Sequence, residues 1–222
     1  MSAASLSTPD CPHRRGDAPT PAKPVRSRVG AFAARAPIAA LVALALALAS
    51  CASGPPPDAF ELSAAKPPPS RPLSAQLRVA EPIASLDLDS DRILVRTGPE
   101  EVATLAGAKW SDRLPLLVQS RLTQTFENAN LLRQVSRRPT TTADYELDIE
   151  IRKFELDVAQ MQVKVDLAAK IVSVGSGRVA AAQIFTADAP VGSTGGADVS
   201  AALNAALSSV MTRIVAFASS RL

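Results

Sequence analysis

The transition at residues 50–72 divides the chain before any folding argument begins. Residues 37–49, Pro-Ile-Ala-Ala-Leu-Val-Ala-Leu-Ala-Leu-Ala-Leu-Ala, carry no charge, and Cys51 and a proline-rich stretch follow at once. This uncharged run of 13 residues is short of the about 20 that a membrane-spanning helix needs. Residues 52–72 hold seven prolines in 21 positions, a composition that favours extended, semi-rigid polyproline geometry at about 3.1 Å per residue, interrupted by Phe60-Glu61-Leu62, which reads as a short strand or a docking segment. What remains for a packed core is residues 73–222, a stretch of 150 residues. A domain of that size buries roughly 68–70% of its unfolded surface and needs neither disulfide nor metal.

The region before the break has the layout of a secretory signal peptide. A polar stretch containing Arg14, Arg15, Lys23, Arg26, Arg28 and Arg35 precedes the uncharged run, which has the length of a signal-peptide core. Arg14-Arg15 lack a closely following hydrophobic stretch, so a twin-arginine signal is the weaker reading. The run ends in Leu48-Ala49-Ser50-Cys51, which resembles the bacterial lipobox. Small residues at Ala49 and Ser50 admit the backbone to a peptidase, and the Cys51 thiol is the nucleophile that takes a diacylglyceryl group as a thioether. A buried core cysteine is the competing reading, but Ala52-Ser53-Gly54-Pro55-Pro56-Pro57 is a linker. The expected organisation is therefore a lipoprotein signal peptide at 1–50, lipidated Cys51 with a proline-rich linker to residue 72, and one domain at 73–222. Two or more acyl chains anchor a protein stably. Ala52 and Ser53, with no Asp after Cys51, resemble the outer-membrane pattern, so the expected location is the periplasmic face of the outer membrane. The inner membrane is the alternative.

Removing the leader changes what chemistry is open to the chain. The single histidine, His13, and one of the two cysteines, Cys11, precede residue 51. A mature chain starting at Cys51 has no Ser-His-Asp or Cys-His centre, no His- or Cys-rich zinc site and no internal disulfide. No catalytic residue, cofactor site or metal ligand is assigned. A Ser-Lys site using Lys109, Lys164 or Lys170, or a carboxylate pair, is what a hydrolase would need. The net charge of +3 belongs to the leader, because the remainder has 18 basic against 19 acidic side chains. Nucleic-acid binding normally needs a basic face, and aromatics are only 4% of the chain, too few for a base-stacking platform.

Within 73–222 the pattern predicts strands, a helix, more strands and a closing helix. Strands are expected at 77–83 and 92–96, the latter forming a hairpin with 101–105 across Gly98-Pro99. Ser111 to Ala129 reads as a helix with Ser111 as N-cap, Pro115 in the first turn and Leu114, Leu117, Val118, Leu122 and Phe126 on its core face. Trp110 is placed as a staple onto that core. A strand at Leu131–Arg137 follows. Tyr145, Leu147, Ile149 and Ile151 then alternate with Glu146, Asp148, Glu150 and Arg152, a half-buried strand with a solvated acidic face. The phase slips before Phe154, which predicts a bulge at Arg152-Lys153. Met161–Ile171 and Arg178–Thr186 pair across Gly175-Ser176-Gly177. Ala197–Leu222 is a helix striped by Val199, Leu203, Ala206, Leu207, Val210, Ile214 and Phe217. Gly175-x-Gly177 and Gly192-Ser193-Thr194-Gly195-Gly196 lack the features of phosphate loops. The expected fold is α/β, a single domain with a central mixed or antiparallel β-sheet of about six to seven strands and two main helices.

Over about residues 58–222 these elements resemble the ABC-type transport auxiliary lipoprotein family, which includes the paraquat-inducible protein C type. The likeness rests on the lipobox followed by Phe60-Glu61-Leu62, then Asp91-Arg92-Ile93-Leu94-Val95-Arg96-Thr97-Gly98 and Lys109-Trp110-Ser111-Asp112-Arg113-Leu114-Pro115. Tyr145-Glu146-Leu147-Asp148-Ile149, the Phe154 strand and the Ala-rich terminal helix complete it. Phe60 departs from the family, where tyrosine is common, but keeps the aromatic character. The resemblance implies a non-enzymatic docking or assembly role beside an ABC permease and ATPase that work with a mammalian-cell-entry (MCE) domain substrate-binding protein, moving lipid or other hydrophobic cargo. A homo-oligomer is compatible with it. A structural envelope or outer-membrane assembly lipoprotein unrelated to transport is the alternative.

Overall fold

The computed structural model describes residues 56–222, apart from 71, 132, 134 and 139–141. The expected signal peptide, the lipobox residues Leu48, Ala49 and Ser50, and Cys51 lie outside the described residues. The strands are β1 (Asp58–Phe60), β2 (Leu77–Val79), β3 (Ile83–Ala84), β4 (Arg92–Arg96), β5 (Val102–Trp110), β6 (Val135–Ser136), β7 (Tyr145–Asp157), β8 (Gln162–Ser173) and β9 (Val179–Pro190). Helix α1 (Leu114–Asn128) separates β5 from β6, and helix α2 (Gly196–Arg221) follows β9.

The strand with the clearest alternation, β7, is the spine of a single mixed sheet. Along one edge it pairs antiparallel with β8, from Tyr145 opposite Ser173 to Asp157 opposite Gln162. The expected bulge is present: Ile151 faces Leu167 and Lys153 faces Asp166, leaving Arg152 as the extra residue. Arg152 and Lys153 are both exposed while Phe154 is buried, so the insertion keeps the apolar phase pointed at the core. β9 continues the sheet beyond β8. The other edge of β7 receives three short parallel strands in succession, β2 at 145–147, β3 at 150–151 and β4 at 155–157. β5 pairs antiparallel with β4, and β1 lies parallel to β5.

The sheet thus has nine strands among the described residues, against an expected six to seven. One reason is Pro82, which has no N–H for a ladder and splits the expected strand at 77–83 into β2 and β3. Another is β1, recruited from the proline-rich segment. The expected strand at Leu131–Arg137 is reduced to Val135–Ser136. Helix α1 also starts later than Ser111. The Ser111 N–H donates to the Phe60 carbonyl at 2.8 Å and the Trp110 N–H to the Asp91 carbonyl at 2.7 Å. The backbone at Ser111 thus continues the pairing of β1 with β5, and the helix begins at Leu114 with Arg113 in the cap position and no side-chain hydrogen bond there.

Both helices pack against the sheet, and the core between them contains Leu147, Ile149, Ile151, Phe154 and Leu156 of β7 with Val163, Val165, Leu167 and Ile171 of β8. Trp110 is 1% exposed and meets Phe154 edge-on at 5.8 Å, so it fills the core as expected. α2 is long and apolar enough to cross a membrane by composition alone. Its stripe of Val199, Leu203, Leu207, Val210, Ile214 and Phe217 is buried, and Phe217 meets Phe185 of β9 at 5.7 Å. Gly196 marks a close approach: a Cβ there would lie 2.7 Å from the Ala108 Cβ and 3.0 Å from the Phe60 ring.

From Asp58 onward the proline-rich segment is a strap on the body rather than a free spacer. Leu62, Ala65 and Leu73 are buried. The Ser63 N–H donates to Asn204 Oδ1 at 2.8 Å, and the Ala65 N–H to Thr125 Oγ1 at 3.0 Å. Asn128 Nδ2 donates to the Ala65 carbonyl at 2.7 Å. The Ser70 N–H reaches the Ala129 carbonyl and the Ser74 N–H the Leu222 carbonyl. Prolines leave these few N–H groups to find partners on the helices, which is how a polyproline-like segment docks without a ladder.

Candidate docking surface

The alternation that sends apolar residues of β7 and β8 to the helices sends their polar partners to the opposite face of the sheet. There the register juxtaposes Asp148 with Lys170, Lys153 with Asp166 and Glu155 with Lys164. Arg78 Nε donates to Glu146 Oε2 at 2.8 Å. Arg96 engages Glu155 through Nε at 2.8 Å and Nη2 at 3.0 Å, and Lys164 meets Asp157 at 3.0 Å. Most of these charges are matched across strands, so the face is polar but nearly neutral.

The carboxylates do not share one environment. Partial burial, helped by repulsion from Glu146, raises the Asp148 carboxyl above its ordinary value. A hydrogen bond from Lys164 lowers Asp157 below it. Hydrogen bonding and charge attraction from Glu155 raise the Arg96 guanidinium further. Glu146, Asp148 and Glu150, the expected acidic outer face, are indeed side by side, and Glu150 is exposed.

One row crosses this face with a different character. Ile83 of β3 is opposite Glu150, Glu150 is opposite Ala168, and Ala168 is opposite Ile184 of β9. Ile83 is 68% exposed and Ile184 55% exposed. Shallow depressions lie on either side of the row. One, of about 310 Å³, is lined by Ile83, Asp148, Glu150 and Lys170. The other, of about 640 Å³, is lined by Arg152, Ala168, Ala182 and Ile184. Two exposed isoleucines across a four-strand row suit contact with another macromolecule better than enclosure of a small molecule. The sequence pattern did not single out either residue. Ile83 follows Pro82 at the end of an expected strand, and Ile184 sits in an Ala-rich stretch with no clear alternation.

A wider cleft of about 710 Å³ opens beside the β4–β5 hairpin, lined by Leu86, Asp87, Asp91, Arg92, Val102 and Arg113 among others. Two of its charges are paired: Asp91 with Lys109 at 3.2 Å, and Arg113 with Asp89 and, at 3.3 Å, with Glu81. The Asp89 hydrogen bond raises the Arg113 guanidinium above its ordinary value. Of the lysines a Ser-Lys site would need, Lys109 and Lys164 are engaged by carboxylates and Lys170 faces Asp148. Among the described residues no three His, Cys, Asp or Glu side chains are grouped to hold a metal.

Residues 60–215 match the family described as the ABC-type transport auxiliary lipoprotein component. An uncharacterised protein of Bradyrhizobium diazoefficiens is 30% identical over 150 residues, which cover 67% of this chain and 40% of that protein. The chain therefore spans about 40% of the length of this curated relative. The crystal structure of a Xanthomonas campestris protein is similar with a TM-score of 0.65 and 29% identity, covering 74% of this chain and 96% of that one. A second crystal structure, of an uncharacterized protein at 12% identity, shares the fold with a TM-score of 0.56 over 71% of this chain and 98% of its own.

Proposed function

Because the chain belongs to the ABC-type transport auxiliary lipoprotein component family, we propose that it serves an envelope lipid-transport system as a lipid-anchored docking or assembly piece, without catalysis of its own. In this reading Cys51 carries the acyl chains, and Leu48, Ala49 and Ser50 form the cleavage signal. The body works at the periplasmic face of the outer membrane. Its partners are an MCE-domain substrate-binding protein and, through it, an ABC permease and ATPase.

The observation that carries the proposal is the open sheet face. Most of its charges are matched in pairs, its exposed isoleucines form a cross-strand row, and its lysines face carboxylates. Such a surface offers contact area and register to a macromolecule. It offers no nucleophile paired with a base.

Crosslinking and pull-down from native membranes tests this, comparing wild type with Cys51→Ala. Recovery of an MCE-domain protein by wild type, with loss of recovery or mislocalisation for the variant, is the expected result. Recovery of barrel proteins or barrel-assembly factors would replace transport with the envelope-assembly reading.

A further inference from the structure

We infer that the end of the body bearing the β7–β8 turn and the β4–β5 hairpin faces the lipid surface. This rests on the anchored reading of Cys51. Only residues 52–57 separate Cys51 from Asp58, where β1 enters the sheet. Whatever their conformation, the seven residue steps from Cys51 to Asp58 reach no farther than about 25 Å. The expected semi-rigid spacer to residue 72 would have held the body farther from the bilayer. The docked strap shortens it to residues 52–57.

Contacts within the body say which end is held. Asp58 pairs with Ala108, and Ala108 packs beneath Gly196 at the start of α2. The loop before Gly196 reaches the β7–β8 turn, since the Val191 N–H donates to the Met161 carbonyl at 3.0 Å. That turn meets the β4–β5 hairpin, since the Val158 N–H donates to the Arg96 carbonyl at 3.1 Å. The β7–β8 turn and the hairpin thus form one end; Asp58 stands beside Ala108, six residues along β5 from Val102, and because β1 is parallel to β5 the chain enters β1 heading away from the hairpin. That end exposes Val102 and Met161, at 41% and 37%, but Val174 and Val179 are exposed at the far end too, so the tether and not apolar exposure chooses between the ends.

β7 and β8 run away from this end. β8 has 12 residues, and at about 3.4 Å per residue the Gly175–Gly177 turn lies on the order of 40 Å from the Met161 turn. Anchorage therefore aims the Gly175 turn, with exposed Val174 and Val179, away from the bilayer. The row of Ile83 and Ile184 stands along the side, accessible to a partner rising from or reaching toward the membrane.

The test uses the full lipidated chain, reconstituted into phosphatidylethanolamine–phosphatidylglycerol vesicles that carry a headgroup nitroxide. Mature protein has no other cysteine once Cys51 is acylated. Gln160→Cys, Glu100→Cys and Ser176→Cys can then each carry a single fluorophore. Labels at 160 and 100 are expected to be quenched several-fold more than the label at 176. Inserting a long Gly/Ser segment after Pro57 is expected to abolish that contrast while the protein still floats with the vesicles. Equal or reversed quenching in protein that floats would overturn the orientation and leave the anchor intact. A contrast that survived the insert would overturn the role of the short tether. Protein that fails to float with vesicles would overturn the anchored reading and the orientation with it.

Discussion

At the scale of single residues the Arg96–Glu155 pair is the clearest liability. The Glu155 side chain is 5% exposed and Arg96 30% exposed, so the carboxylate depends on the guanidinium for its solvation. Breaking such a pair leaves a buried charge uncompensated. Arg96→Ala is expected to cost about 3 kcal/mol, whereas Arg96→Met with Glu155→Leu is expected to come close to wild type. Urea unfolding of both variants checks the contrast. Asp148 and Asp157 respond to pH in opposite senses. Asp148 binds its proton more tightly when folded, chiefly through burial, so its ionisation opposes folding as pH rises from the unfolded to the raised folded value. Asp157 is lowered by Lys164, so its stabilisation is present above the unfolded value and is lost as pH falls through the folded one. Asp148→Asn should therefore gain on wild type as pH rises through the carboxylate range, and Asp157→Asn should lose, in unfolding curves taken across that range. The charge alternation on β7 was legible from sequence, but these partners were not. Lys164 and Lys170 come from β8, and which residue each meets is fixed by register and not by spacing along one strand.

At the scale of elements, the β7 bulge was legible because a half-buried strand cannot change phase without one. Ile151 and Phe154 both face the core, and an odd residue must be spent between them. Deleting Arg152 removes that residue and leaves Lys153 outward and Phe154 inward. Deleting Glu150 breaks the alternation and sends one half of the strand's apolar set to solvent. The first deletion is expected to keep a cooperative thermal transition, and the second to lose it, in circular dichroism melts. The start of α1 and the parallel strands β2 and β3 were less legible. Ser111 has the chemistry of an N-cap, but its backbone extends the pairing with Phe60, a residue about fifty positions away, and the helix begins later, at Leu114. β2 and β3 are two or three residues long, too short to show a period; β3 is defined by the edge of β7 it meets, and β2 by β7 on one side and β6 on the other.

At the scale of the whole molecule, the boundary between tether and body decides both stability and presentation. A boundary at residue 73 follows from composition, since seven prolines in 21 positions normally mark a segment that packs against nothing. The structure spends part of that segment on the core instead. Leu62 and Ala65 are each 2% exposed. The Ala65 N–H supplies a hydrogen bond to Thr125 Oγ1, which is itself buried. A chain beginning at Leu73 therefore loses β1, the Leu62 side chain, several strap hydrogen bonds and the cover over the Phe60 side of β5. The leucine alone is worth roughly 1.5–3 kcal/mol, and each buried hydrogen bond about 1 kcal/mol. The total of about 4 kcal/mol corresponds to a fall of about 10 °C in melting temperature for a domain of this size. A chain beginning at Pro56 is expected to melt as the full mature protein does. Calorimetry of the two truncations separates these outcomes. If both melted alike, the strap would be a passenger, and the free tether would be long enough to release the body from any fixed aspect toward the bilayer. If only the shorter chain is destabilised, then under the proposed anchorage at Cys51 the same contacts that complete the core also fix how close to the membrane that core is held.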